Sequence, residues 1–524
     1  MSFARYGSGG FAFTLAVCLL LPGCDNGAAA KKASGLESPT VAKVAACASG
    51  DVPEPALQGQ VPAAVRAAGF TGYNCNLALE GQYSGSGGFV TYANIKDDHD
   101  HYCAYYGDGK GVNVVDITDP AKPVLTASLT TLAMQSAGET LRVNARRQLM
   151  IGLAREKMDA SGSEMDIYDL SADCRDPKVQ WSGVLNPGDN GGVTVPKPLK
   201  GHDSNFSPDG LTFYDGSNFT MTYTAIDLTD PTKPKIIAQL DMSKAPLAYG
   251  RANGVPHGLS ISDDGNRGYF ASIGLPQKSE LKQPDYRSAD GFYVIDISEI
   301  QARKPDPQTK VISSMAFRNS SASQHTLTVK IGGKPYLIQD SEGGGAGIPM
   351  GGGGTPQEAC DAGLTPFPMA RIIDMSDETK PKHIVDLGLE THDLRNCSKV
   401  LPDIVGEGVF TYGTHICSVD NRENATALAC AYDQSGIRVF DIRNPAAPKE
   451  IAYFNPAPVI ASQTSPLQPN PSKVNACMAP AGFDFERKLL TTACARSGAL
   501  VLKFENGVWP FPESTPAPRG ISYN

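Results

Sequence analysis

Six times along the chain a short apolar run ends in Asp, passes through a polar cluster holding Pro, and resumes as a second apolar run. The copies begin at Gly111 (GVNVVDITDPAKPVL), Glu164 (EMDIYDLSADCRDPKVQ), Thr224 (TAIDLTDPTKPKII), Gly291, Ala370 (ARIIDMSDETKPKHI) and Gly436 (GIRVFDIRNPAAPKEI). A seventh, GALVLKFENGVW from Gly498, keeps the alternation but carries Lys503 where the others have Asp. Period-two patterning of apolar and β-branched residues predicts half-buried strands. The Asp and Pro between them supply turn chemistry, since Asp bonds nearby backbone and Pro fixes φ. Asp116, Asp169, Asp227, Asp296, Asp374 and Asp441 are therefore expected to cap turns. Ahead of each copy lies another pair of short strands around a Gly or Asn turn, as in HGLSISDDGNRGYFAS from His257. Two hairpins per repeat make a four-stranded antiparallel unit. Such units arrayed radially form a β-propeller, and seven fit this length.

The V-x-D-I-x-D-P-x-x-P signature resembles the LVIVD-repeat family of secreted bacterial and archaeal β-propellers, over roughly Tyr83 to the C-terminus. The resemblance implies a fold and an exported location, and little biochemistry. Asn76–Gly85 (NLALEGQYSG) is expected to supply the outer strand of the last blade beside GALVLKF, with GVWPFP as the competing segment. The all-β propeller then spans residues 76–524, behind a leader (1–23) and a polar, disulfide-pinned tether (24–75).

The leader reading rests on Arg5, an apolar stretch from Phe11 to Leu21, and L-P-G-C ending at Cys24. The stretch is too short to span a bilayer and has signal-peptide proportions. Leu-x-Gly-Cys resembles the bacterial lipoprotein box, which makes Cys24 the expected lipidation site. The protein is thus expected in the cell envelope, joined to the membrane by that anchor alone, with plain secretion as the alternative. Cys18 falls in the leader, so ten cysteines remain besides Cys24, an even number suited to an oxidising compartment. Cys417 with Cys430, and Cys477 with Cys494, flank equivalent turns and are expected to pair. Cys47–Cys75, Cys103–Cys174 and Cys360–Cys397 are the plausible remainder. No C-x-x-C occurs, which argues against a thioredoxin-like or Cys-rich zinc site. A net charge of −9, with 19% charged residues and no basic stripe, gives no nucleic-acid surface. Neither Gly-rich run (Gly85–Gly88, Gly343–Gly354) opens a helix or has phosphate-cradling spacing.

Aligning the inner hairpins by their turns puts four histidines in one column. His202, His257 and His325 each lie eight residues before a turn glycine, and His415 lies nine before Asn424. The same position in the other units is Thr91, Glu139 and Asn475. These sites start the innermost strands, which ring one mouth of a propeller channel. Imidazoles converging there, with Glu139, would suit copper, iron, zinc or nickel. The competing explanation is one structural histidine per blade, as in the Gly-His of WD repeats. His99 and His101 fall in a turn on the opposite rim, His383 follows a Pro-Lys turn facing solvent, and His392 lies in a loop from which it could reach the channel. Two insertions, Gly274–Asp290 and Ser341–Gly363, belong to the same rim as the column, where loops on a rigid scaffold commonly carry function.

Two functions follow. One is a lipid-anchored, monomeric scaffold that binds a protein or glycan partner through its loop-rich face. The other is a periplasmic metalloenzyme of oxidoreductase type with a His-bound transition metal at the channel mouth, as nitrous oxide reductase and the selenium-binding-protein oxidases have on this general fold. No G-x-S-x-G and no assignable Ser/His/Asp trio occurs, so no catalytic residue is named.

Overall fold

A computed structural model of the chain describes residues 39–85, 87–154, 164–185, 199–245, 254–276, 278–281, 283, 290–348, 353–459 and 473–517. The leader and Cys24 lie outside the described residues.

The strands form seven four-stranded antiparallel blades arranged in a ring. The innermost strands are Tyr92–Lys96, Arg142–Asn144, Asp203–Phe206, Val255–Ile261, Ser321–Ile331, Cys417–Val419 and Gly482–Asp484 for blades one to seven. Each Asp-Pro copy forms a third strand, its turn and the outer strand. All six Asp side chains accept a backbone N–H two residues on, at 2.8–3.1 Å. Immediately ahead of each Asp the pairing of third and outer strands shifts register at the same place, from Val114/Val115 to Val439/Phe440. A bulge of this kind strengthens local twist. Repetition of the motif in the sequence is thus repetition of one twisted hairpin.

Apolar side chains on the blade faces interlock with the next blade all the way round. Val114 shares a buried cluster with Val143, Ile151 with Phe213, Tyr223 with Leu259, and Val294 with Leu337. Ile372 shares one with Leu428, Val439 with Leu490, and Val501 of blade seven with Ala104 of blade one. Leu77–Tyr83 closes the ring by pairing with Gly498–Phe504 as the fourth strand of blade seven. GVWPFP instead packs Trp509 against Phe483, Phe485 and Phe504. Disulfides join Cys47–Cys75, Cys103–Cys174, Cys360–Cys397, Cys417–Cys430 and Cys477–Cys494, the same five pairs named above.

The segment ahead of Leu77 does more than tether. Thr40–Val41 adds a parallel strand to the outside of blade five, and Tyr73–Cys75 an antiparallel one to blade six. Between them Glu54 reaches the fully buried Arg438, which also holds Glu450 at 2.6 Å and lies over the Tyr453 ring. Gln58 binds the other Glu450 oxygen at 2.9 Å. Arg66, also buried, binds the Tyr412 hydroxyl and faces Glu407. A polar-looking segment is therefore fixed by buried charge as well as by an apolar cluster of Ala45, Val61, Phe70 and Tyr73 with Tyr453 and Val474.

His392 does not reach the channel. It is fully buried in the loop arriving at blade six, where Nε2 donates to the Pro368 carbonyl and Nδ1 accepts from the Leu389 N–H. Edge contacts with Phe367 and Tyr432 hold the ring. Its pKa is driven down to about 4 by burial, with help from the Arg438 charge and against the bond to Pro368.

Two predictions follow from these buried groups. Glu54→Ala leaves Arg438 half-paired, and should cost about 3 kcal/mol while making residues 39–75 sensitive to limited proteolysis; unchanged denaturation and cleavage would mean the pair does not hold the segment. His392 is neutral when folded but takes up a proton near pH 6.5 when unfolded, so its contribution is full above pH 6.5 and lost as pH falls towards 4. Over that interval the native chain should lose on the order of 3 kcal/mol more stability than a His392→Gln variant. Parallel stability–pH curves for the two proteins would refute this.

Candidate metal centre

Five side chains from five successive blades meet at one mouth of the channel. Glu139 lies on the approach to blade two and is tied to Asp203 by a parallel backbone bridge. His202 immediately precedes the inner strand of blade three, His257 lies within that of blade four, and His415 precedes that of blade six. Glu342 comes from the second strand of blade five, Lys334–Gly343, which continues into what the sequence presents as a Gly-rich loop.

Their donor atoms lie close together. His202 Nε2 is 2.7 Å from His257 Nε2, and the two are 3.7 and 3.8 Å from Glu139 Oε2. His415 Nε2 is 3.2 Å from Glu139 Oε1 and 3.5 Å from Glu342 Oε2, while Glu342 Oε1 is 3.4 Å from His257 Nε2. Ligands bound at about 2.05 Å to one ion sit about 2.9 Å apart on an octahedron and about 3.3 Å apart on a tetrahedron. The observed spacings bracket these values.

The far sides of the rings are also fixed. His257 Nδ1 donates to the Gln324 carbonyl and His415 Nδ1 to the Met478 carbonyl, each at 2.9 Å. With the proton on Nδ1, the Nε2 lone pairs face inward, the arrangement that orients metal-binding histidines, and that of His415 also meets the Gln324 amide nitrogen at 3.1 Å. His202 Nδ1 faces the Asn218 amide at 3.2 Å, and Asn218 Oδ1 is buried with no hydrogen-bond partner among the described residues. Rotating that amide would let Oδ1 accept from Nδ1 and free the His202 Nε2 lone pair in turn.

Electrostatics point the same way. Burial opposes charging of His415, but its bonds to Glu139 and Glu342 and their charges outweigh burial and hold its pKa well above the ordinary value. His257 is also raised, as Asp203, Glu139 and Glu342 together overcome burial. The cluster demands positive charge at its centre, which protons or a metal ion can supply.

His325 does not join these donors. The pairing of its strand slips between Ser323 and His325, and alternation along the strand then sends Gln324, not His325, towards His257 and His415. His325 Nδ1 instead binds Asp203 Oδ2 at 3.0 Å, while Arg142 holds Asp203 Oδ1 at 2.7 Å. Gly258 makes room for this pair, since a Cβ there would stand 2.3 Å from both bonded atoms. Thr91 and Asn475, the other two column positions, are also elsewhere. Thr91 lines a neighbouring cleft, and Asn475 binds Ser497 at 2.5 Å. His101 binds Asp97 at 2.9 Å in its turn, with Asp173 at 3.6 Å; His99 is exposed, and His383 is exposed against Asp386. Glu342 was not legible as a donor because SEGGG reads as loop. Its signal was the unusual length of the blade-five inner strands, eleven and ten residues.

No family model matches this chain, and no curated protein matches it. Three similar solved structures are distant in sequence. The periplasmic gluconolactonase PpgL of Pseudomonas aeruginosa is 12% identical, covering 81% of this chain and 89% of its own, with a TM-score of 0.43. Hydrazine synthase of Kuenenia stuttgartiensis is 11% identical, covering 82% and 98%, at 0.45. The Cps50 (Swd1) β-propeller domain of Myceliophteria thermophila is 10% identical, covering 81% and 98%, also at 0.45. At these identities the similarity concerns the β-propeller fold alone.

Proposed function

We propose that this protein is an exported β-propeller that binds one divalent transition-metal ion at its channel mouth, through His202, His257, His415, Glu139 and Glu342. The observation that carries this reading is that donor atoms of Glu139, His202 and His257 lie within 4.8 Å of one another, with His415 3.2 Å from Glu139 and Glu342 3.4 Å from His257, and with two of the rings fixed from behind by backbone carbonyls. Mixed imidazole and carboxylate donors suit iron, zinc or copper. The ion would polarise a bound molecule, and iron or copper would add electron transfer. Five disulfides belong to an oxidising, extracytoplasmic compartment. Among the described residues no helix is long and apolar enough to cross a membrane. In this proposal Cys24 carries the lipid that holds the propeller to the envelope.

A scaffold role is supported by the same rim. The blade-five insertion carries a capped helix, Pro356–Asp361, which Cys360–Cys397 ties to the loop arriving at blade six. Such a rigid projection suits a protein or glycan partner.

Metal content of the mature protein separates the two. Near-stoichiometric iron, zinc or copper is expected in the native protein, with less than a tenth retained in a folded His257→Ala/His415→Ala variant. Protein that stays metal-free after incubation with each ion would leave the scaffold role standing.

A further inference from the structure

The five donor residues form one side of a chamber of about 260 Å³. The other walls come from Phe89, Val90, Val255, Ile273, Leu275 and Phe410. Phe89 and Phe410 make an edge contact, ring centroids 6.4 Å apart, on that apolar side. Phe89 also lines a separate cleft of about 460 Å³, beside Asp108 and Met134–Gly138, so this residue borders both spaces.

The lining restricts what can sit there. Among the described residues, the charged groups facing the chamber are the donors themselves, and no Lys or Arg is among them. Two carboxylates and one divalent ion sum to zero. A carboxylate or phosphate ligand would then carry an uncompensated charge against apolar walls, which is costly. A sugar or sugar lactone would bury hydroxyls with little beyond Asn218 to satisfy them, at about 1–3 kcal/mol for each left unpaired. The space holds about nine waters at roughly 30 Å³ each, enough for one six-membered ring.

We infer that the chamber takes a small molecule that stays neutral at the ion, with an apolar body and one metal-binding oxygen or thioether sulfur, of the alcohol, ether or thioether class. This rests on the metal reading above. The donor atom meets the ion, and the body fills the space between Val255, Leu275 and the Phe89–Phe410 pair. Leu275 is a specificity-determining position, because it stands in the loop after the second strand of blade four and contributes only to the apolar wall.

The test uses the mature protein loaded with cobalt(II), whose visible bands report ligand exchange at the ion. Benzyl alcohol should shift those bands saturably, and benzoate and glucose should need at least tenfold higher concentrations. Leu275→Trp should keep cobalt stoichiometry and weaken the benzyl alcohol response at least tenfold. Cobalt-loaded protein that ignores benzyl alcohol, or binds benzoate as well as benzyl alcohol, overturns the inference and leaves the metal site intact. A Leu275→Trp variant that holds cobalt and answers benzyl alcohol as the native protein does overturns the assignment of Leu275. No cobalt uptake overturns the metal reading and this inference with it.

Discussion

Closure of the ring is the constraint on which the rest of this structure depends. Each donor at the channel mouth comes from a different blade, so no local segment of the chain contains a site. Leu77–Tyr83, paired with Gly498–Phe504, turns a row of seven blades into a circle and fixes the angle between each blade and the next. Only then do the starts of the inner strands face one another across the channel. The apolar interlocking between neighbours sets the radius, because interiors packed this tightly do not stretch to accommodate a misplaced blade.

That dependence explains the buried polar chemistry round the mouth. Arg142, Asp203 and His325 link blades two, three and five by direct bonds. Gln324 joins blade five to His257 and His415. Buried groups of this kind are costly unless partnered, and here the partners lie on other blades. The network fixes the relative rotation of its members more tightly than apolar packing can.

Much of the architecture was legible in the sequence because it is repetitive and local. The Asp-Pro turns, the alternation around them and the cysteines flanking equivalent turns are short-range patterns, and they give blade number, strand order and ring closure. The site was legible in part. The column located His202, His257, His415 and Glu139 by their distance from a turn, but that count assumes identical register in every blade. A slip in the blade-five inner strand turned His325 away, and the length of the same hairpin brought in Glu342 from a segment that reads as loop. The buried anchoring of residues 39–75 was hidden for a different reason: its contacts include ion pairs to Arg438 and Glu407, more than three hundred positions away, which leave no periodicity behind.

The pairing of the chain's two ends carries a consequence for how the protein is made. Thr40 meets Leu387, Tyr73 meets Asn455 and Leu77 meets Phe504, so the earliest described strands complete the last three blades. Folding cannot finish on a growing chain: Thr40–Val41 must wait for blade five, Tyr73–Cys75 for blade six and Leu77–Tyr83 for the final blade. Contacts of such sequence separation form slowly, and the delay suits a chain whose five disulfides form in an oxidising compartment. The seam that completes the circle also sets the moment at which the channel, and whatever it holds, can first exist.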